Sequence, residues 1–98
     1  MLEKLTLGAF TPHVGSVFRV DLPGVPAVEL TLTEAASLDP KTAAPKAPRE
    51  PFVLRFRGAG SILPQRIYPL ESPLGRLEIF LVPVGKTEAG VEYEAIFN

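Results

Sequence analysis

The amino-acid sequence predicts an all-β domain, in which about six antiparallel strands form a small sandwich or a partly open barrel. Short runs of alternating apolar and polar residues recur along the chain, and turns that contain proline or glycine separate them. Helical signals occur only near the N-terminus. Because 98 residues suffice for one domain with a modest core, residues 1–98 are predicted to form a single β domain.

The N-terminal segment is predicted to form two short helical turns. Thr6 is placed to cap a turn that includes Phe10. Thr11 is placed to cap a second turn, with Pro12 at its first position and Gly15 at its end. Such turns need packing to be stable, so we expect a lid over one end or face of the sheet. Its packing face would consist of Leu2, Leu5, Leu7 and Phe10.

Three strands follow, over residues 17–22, 28–35 and 52–57. A turn at Pro23-Gly24 separates the first two, which therefore read as a hairpin. In each strand, alternate residues are apolar and predicted to face the core. These are Phe18, Val20 and Leu22, then Val28, Leu30 and Leu32, then Phe52, Leu54 and Phe56.

Residues 36–51 break this pattern and are predicted to form an extended, proline- and alanine-rich loop. The loop contains two overlapping PxxP spacings, which SH3-type grooves can bind. The basic residues Lys46 and Arg49 lie inside those spacings rather than at their ends. A stiff connector is therefore the better interpretation.

The last third of the chain predicts three strands: RIYPLE, RLEIFLVPV and VEYEAIF. Ser72-Pro73-Leu74-Gly75 suits a type I turn, and closing it pairs Tyr68 with Ile79 and Ile67 with Phe80. The strand 76–84 is apolar on both faces, so one face is left over once the core is formed. Either the N-terminal segment or another molecule would cover it, and a homodimer is one option. The candidate interaction surface is Ile67, Phe80 and Val82.

Outward arginines offer an alternative kind of site. Arg19, Arg55 and Arg57 would form an anion-binding face if their strands are neighbours. Outward glutamates on the other strands make cross-strand ion pairing the plainer interpretation, and these are Glu29, Glu71, Glu78, Glu92 and Glu94. Glu92 and Glu94 alone are a weak signal for a hard cation.

Motifs for catalysis or cofactor binding are incomplete, so no catalytic residue, cofactor or metal site is predicted. Gly85-Lys86-Thr87 lacks the earlier glycine and the following helix of a phosphate-binding loop. Gly58-Ala59-Gly60 is followed by Pro64 rather than a helix, which argues against dinucleotide binding. His13, with Ser16 and Asp21 nearby, has no sign of a nucleophile elbow or oxyanion hole.

Composition narrows the classes of partner. A formal charge of −1 and a pI near 5.8 argue against a domain that binds nucleic acid or membrane surfaces, because such domains normally have a basic excess. The chain has no cysteine, and no N-terminal signal peptide is recognisable, so a cytoplasmic location is expected. Eleven prolines, with a single methionine, suggest a thermophilic source.

Five segments carry a resemblance to a known family. They are residues 10–18 (FTPHVGSVF), 50–52 with 56–58, 63–65, 79–85 (IFLVPVG) and 93–98 (YEAIFN). The chain is similar in these segments to a bacterial family of domains of unknown function, of about one hundred residues. The resemblance implies an all-β fold and carries no catalytic residues. Some family members accompany phage-tail-collar-like proteins, which implies an assembly or accessory role.

The sequence as a whole favours a non-enzymatic interaction or assembly module with a protein partner. The alternative is a small-ligand or anion-binding domain that uses the arginine face. A hydrolase is the third option, and its candidate residue is His13.

Overall fold

The computed structural model describes residues 5–24, 26–38, 51–60 and 62–97, and most of them belong to strands. A single helical turn, α1, spans Leu7–Phe10, and a 3-10 turn spans Thr11–His13. The strands are β1 (Val17–Val20), β2 (Val28–Ser37), β3 (Phe52–Gly58), β4 (Arg66–Ser72), β5 (Gly75–Thr87) and β6 (Gly90–Phe97).

The six strands form one closed antiparallel ring in the order β1-β2-β3-β6-β5-β4. The predicted all-β class with six antiparallel strands is therefore confirmed, and the strands close into a ring rather than a sandwich or a partly open barrel. The ring is irregular, because β-bulges shift the register between Leu32 and Glu34 and between Pro83 and Gly85. The narrowest seam joins β1 to β4 through two register pairs.

The predicted hairpin register of β4 and β5 is confirmed. Ile67 lies opposite Phe80, Tyr68 opposite Ile79, and Ser72 opposite Gly75. The next turn is shorter than predicted, because β5 continues to Thr87 and β6 begins at Gly90. Gly85-Lys86-Thr87 therefore belongs to β5 and not to the turn between the two strands.

Gly90 shows why a glycine begins β6. Its φ is +136°, and a Cβ there would lie 2.5 Å from the carbonyl oxygen of Gly58. Because the two backbones approach so closely, no residue with a side chain fits without a shift.

The inward residues of all six strands pack into one core in the middle of the ring. The predicted inward residues of the first three strands are confirmed, since each of them is buried or partly buried. The large side chains that are almost fully buried are Tyr68, Tyr93, Phe10, Phe18, Phe52, Phe56, Leu30, Leu32, Leu54, Leu70, Ile79 and Leu81. They fill the interior, so the surfaces left for recognition are the outer faces and the rims.

The N-terminal turns lie over the end of the ring where β3 begins. The cap at Thr6 is confirmed, because its hydroxyl accepts a hydrogen bond from the amide of Ala9 at 3.3 Å. The cap predicted at Thr11 was wrong, since the Thr11 hydroxyl donates to the carbonyl oxygen of Leu7 at 2.8 Å. The N-cap of the 3-10 turn is Phe10, which has no side-chain acceptor, so this turn has no side-chain cap.

Phe10 anchors this lid and is fully buried, with its ring centroid 5.8 Å from that of Phe52 and 5.7 Å from that of Phe97. The predicted lid is thus found at an end of the ring. It does not lie over Phe80, which stays 48% exposed.

The predicted loop 36–51 begins later than expected, because Ala36 and Ser37 belong to β2. The amide of Leu38 donates to the carbonyl oxygen of Pro51 at 3.1 Å and joins the two ends. The predicted PxxP segment and Leu2 lie outside the described residues.

Candidate interaction surface

An apolar patch covers part of the outer face of the ring. Ile67 on β4 and Phe80 on β5 are direct cross-strand neighbours, and they are 58% and 48% exposed. Val82 lies two residues beyond Phe80 on the same face of β5 and is half-buried. The structure thus brings together all three residues of the predicted interaction surface.

Ile96 on β6 extends this patch. Val82 on β5 lies opposite Glu94 on β6. Because the two strands are antiparallel, Phe80 and Ile96 are each two residues from that pair in the same direction along the sheet, and both are on the outer face. Ile96 is 55% exposed. The sequence alternation places Ile96 outward, but only the strand order shows that β6 is next to β5. From here on, the apolar patch denotes Ile67, Phe80, Val82 and Ile96.

The edge of β5 beside this patch is poorly suited to strand addition. Among the described residues, β4 pairs with β5 only up to Leu81, so Val82–Thr87 has one strand neighbour, β6. Pro83 lacks an amide donor, and the bulge at Val84 disrupts the spacing of the backbone groups. A partner would therefore contact the side chains of the face rather than extend the sheet.

Two of the three arginines of the predicted anion-binding face form ion pairs with carboxylates of neighbouring strands. Arg55 on β3 lies between two carboxylates, with its guanidinium 3.3 Å from Glu34 on β2 and 3.1 Å from Glu94 on β6. These three residues are direct register partners across three neighbouring strands. The cross-strand interpretation therefore holds for Arg55, and its charge is balanced within the chain.

The other two predicted arginines lie in a shallow groove on the outer face. Arg57 is 3.7 Å from the carboxylate of Glu92. Arg19 is the register neighbour of Glu29 and of Glu71, yet no ion pair joins it to any residue that the structure describes. Glu71 instead accepts a hydrogen bond from Arg76 at 2.5 Å.

Two buried tyrosines close the end of the ring opposite the N-terminal lid. The Tyr93 hydroxyl accepts a hydrogen bond from the amide of Leu63 at 2.9 Å, and the Tyr68 hydroxyl donates to the carbonyl oxygen of Pro64 at 2.5 Å. Burial raises the pKa of Tyr68, although the Arg66 guanidinium, 5.6 Å from the ring centroid, lowers it in part. The β3–β4 connection is thereby fastened across the core.

His13 lies in the 3-10 turn and is partly exposed. In the described ranges, no hydrogen bond joins its side chain to Ser16 or Asp21, and the amide of Ser16 donates to the His13 carbonyl oxygen at 2.9 Å. The same ranges contain no group of three or more metal-ligating side chains. They also contain no helix long and apolar enough to cross a membrane.

Fold and surface together define a small, irregular six-stranded barrel domain with a filled core and an apolar outer patch. The chain belongs to the family described as a domain of unknown function, DUF6916, which it matches over residues 5–97. The predicted resemblance to a family of domains of unknown function is confirmed. Comparisons with curated proteins and with solved structures found no match to the chain.

Proposed function

We propose that this domain is a non-catalytic interaction module that binds a partner protein through the apolar patch. The observation that carries the proposal is the patch itself. Four apolar side chains share one outer face of three neighbouring strands, and Ile67, Phe80 and Ile96 are each about half exposed or more. The interior of the ring is already packed, so these side chains are not needed for the core.

The size of the patch indicates the kind of partner. Side chains of this type that are half exposed present a few hundred Å² in total, which is within the range of functional patches, about 300–600 Å². A standard stable interface buries about 800 Å² on each side. The patch would therefore form the centre of a larger interface. We propose that its partner is a different protein, so we expect the domain alone to be a monomer.

The test compares capture by the unmodified domain with capture by Phe80→Ser. Val17→Ser is the matched control, since Val17 is 47% exposed on β1, against 48% for Phe80. Proteins retained from a lysate of the source organism would be identified, purified and titrated against each variant. We expect at least about tenfold weaker binding for Phe80→Ser and unchanged binding for Val17→Ser.

The proposal would be contradicted if the unmodified domain, Phe80→Ser and Val17→Ser bound the partner equally well. Capture of no protein by the unmodified domain would also contradict it. So would a stable homodimer that Phe80→Ser converts to a monomer. A hydrolase screen addresses the enzymatic option, because turnover that is lost in His13→Ala would replace a binding role with a catalytic one. A phage-tail-like partner, a bacterial thermophilic source and a cytoplasmic location stay predictions.

A further inference from the structure

A groove and a pocket meet on the side of the ring formed by β1, β2 and β3. The groove crosses the outer face, and the pocket lies at the end of the ring where β3 stops. The lining of the groove includes Arg19, Glu29, Thr31 and Arg57. The lining of the pocket includes Val20, Leu22 and Leu63.

The two depressions share a rim, which consists of Ala27 and Val28 on one side and Ala59 and Gly60 on the other. The pocket has a volume of about 630 Å³, and none of the described residues that line it has a charged side chain. Ligand pockets typically hold about 300–1,000 Å³ and combine apolar walls with a few polar groups at one end. Here the polar groups are those of the groove.

The charges of the groove favour an anion. Arg19 is beside Glu29 on one flank of β2, and Arg57 is beside Thr31 on the other flank. Neither Arg19 nor Glu29 has an ion pair with any residue in the described ranges. Within the groove, two guanidiniums face one carboxylate, but Arg57 also lies 3.7 Å from the carboxylate of Glu92 outside it, so of the two arginines Arg19 is the one without an ion pair in the described ranges. A guanidinium binds carboxylate or phosphate oxygens in a bidentate manner.

We propose that this continuous depression binds a small amphiphilic anion. Its apolar tail would lie against Val20, Leu22 and Leu63 in the pocket, and its charged head would lie between Arg19 and Arg57 in the groove. The carboxylate of Glu29 repels the charged head and therefore weakens the affinity of the site for the anion. This site is on the other side of the ring from the apolar patch and does not depend on the proposed function.

Octanoate is a suitable probe, since it has both a carboxylate and an apolar tail. Titration followed by amide NMR shifts should show saturable binding, with shifts at Val28, Ala59 and Leu63. Acetate, which lacks the tail, and octanol, which lacks the charge, should each bind at least about tenfold more weakly. Shortening the alkyl chain should weaken binding by up to about fourfold for each methylene removed.

Substitutions at the head-group end give effects of opposite sign. Arg57→Gln and Arg19→Gln should each weaken octanoate binding several-fold, whereas Glu29→Gln should strengthen it. All three side chains are exposed, so the fold should be kept, which a thermal melt checks. Phe80→Ser should leave octanoate binding unchanged.

Three results would overturn the proposal. One is the absence of saturable shifts with octanoate, and another is octanol binding as tightly as octanoate. The third is weakening by Phe80→Ser rather than by Arg57→Gln, which would place the ligand on the apolar patch instead.

Discussion

The two ends of the ring are closed by different kinds of contact. At the end where β3 begins, the closure is aromatic, and the rings of Phe52 and Phe97 stack with centroids 4.7 Å apart beneath Phe10. At the end where β3 stops, two tyrosine hydroxyls hold the backbone of Leu63 and Pro64. The side chains that close the first end are packed aromatic rings, whereas those that close the second also form hydrogen bonds through their hydroxyls.

This difference determines how each end responds to perturbation. Burial of aromatic rings does not change with protonation, and it contributes in proportion to the area removed from water. A hydrogen bond from a phenol is lost when the phenol ionises, and it needs its partner at a fixed distance. The amphiphile pocket lies at the tyrosine end, since Leu63, which donates its amide to Tyr93, also lines the pocket.

The largest expected effect comes from emptying the aromatic end. Phe10→Ala removes a fully buried ring that contacts three other phenylalanines, so we expect the free energy of unfolding to fall by about 3–5 kcal/mol. Urea unfolding followed by circular dichroism would measure the loss. For a small domain, a loss of this size can bring it to the limit of folding at room temperature.

Phe80→Ala is the matched control, because it removes the same side chain from the outer face. Its loss should be about 1 kcal/mol or less, since Phe80 is 48% exposed. Equal losses for Phe10→Ala and Phe80→Ala would mean that the N-terminal lid contributes nothing more to stability than the surface does.

The aromatic end could be predicted in part from the sequence. Alternation identifies Phe18, Phe52 and Phe56 as inward residues, and the spacing of Thr6 and Phe10 indicates a packed helical turn. The hairpin register of β4 and β5 was also predictable, because a proline–glycine turn and two alternating strands agree on one pairing. These features are encoded within about twenty residues of sequence or less.

The tyrosine end and the ring closure could not be predicted in this way. A hydrogen bond from Tyr68 to the carbonyl of Pro64 has no pattern in the sequence, since a backbone acceptor can belong to any residue. The β1–β4 seam rests on two register pairs between distant strands, so no local signal marks it. For the same reason, the predicted interaction surface lacked Ile96, which joins the patch only through the order of the strands.

Substitutions at the tyrosine end are expected to lower the free energy of unfolding by less. Tyr93→Phe keeps the buried ring but removes the acceptor of the Leu63 amide, which leaves a partly buried donor unpaired. We expect a loss of about 1–3 kcal/mol and faster hydrogen exchange at that amide. Tyr68→Phe should have a milder effect, about 0.5–1.5 kcal/mol, because water can reach the exposed Pro64. A larger loss for Tyr68→Phe than for Tyr93→Phe would reverse this ranking.

The smallest expected effect is a change in the contribution of Tyr68 to stability at alkaline pH. Burial raises the pKa of Tyr68 above its ordinary value of 10.0, more than Arg66 lowers it, and Tyr93 raises it further. In the unfolded chain the phenol ionises near its ordinary pKa, so above about pH 10 the unfolded state releases a proton that the folded state retains. The contribution of Tyr68 to stability is therefore complete below that pH, and it declines as the pH rises towards the folded-state pKa.

Comparison with Tyr68→Phe isolates this contribution, because every other titratable group is present in both proteins. The stability advantage of the unmodified domain should be constant from neutral pH to about pH 9 and should then narrow as the pH rises. Unfolding by urea at a series of alkaline pH values measures that difference. An advantage that stays constant up to about pH 11 would show that the Tyr68 hydroxyl is solvated in the folded state, and the two ends of the ring would then respond to alkali in the same way.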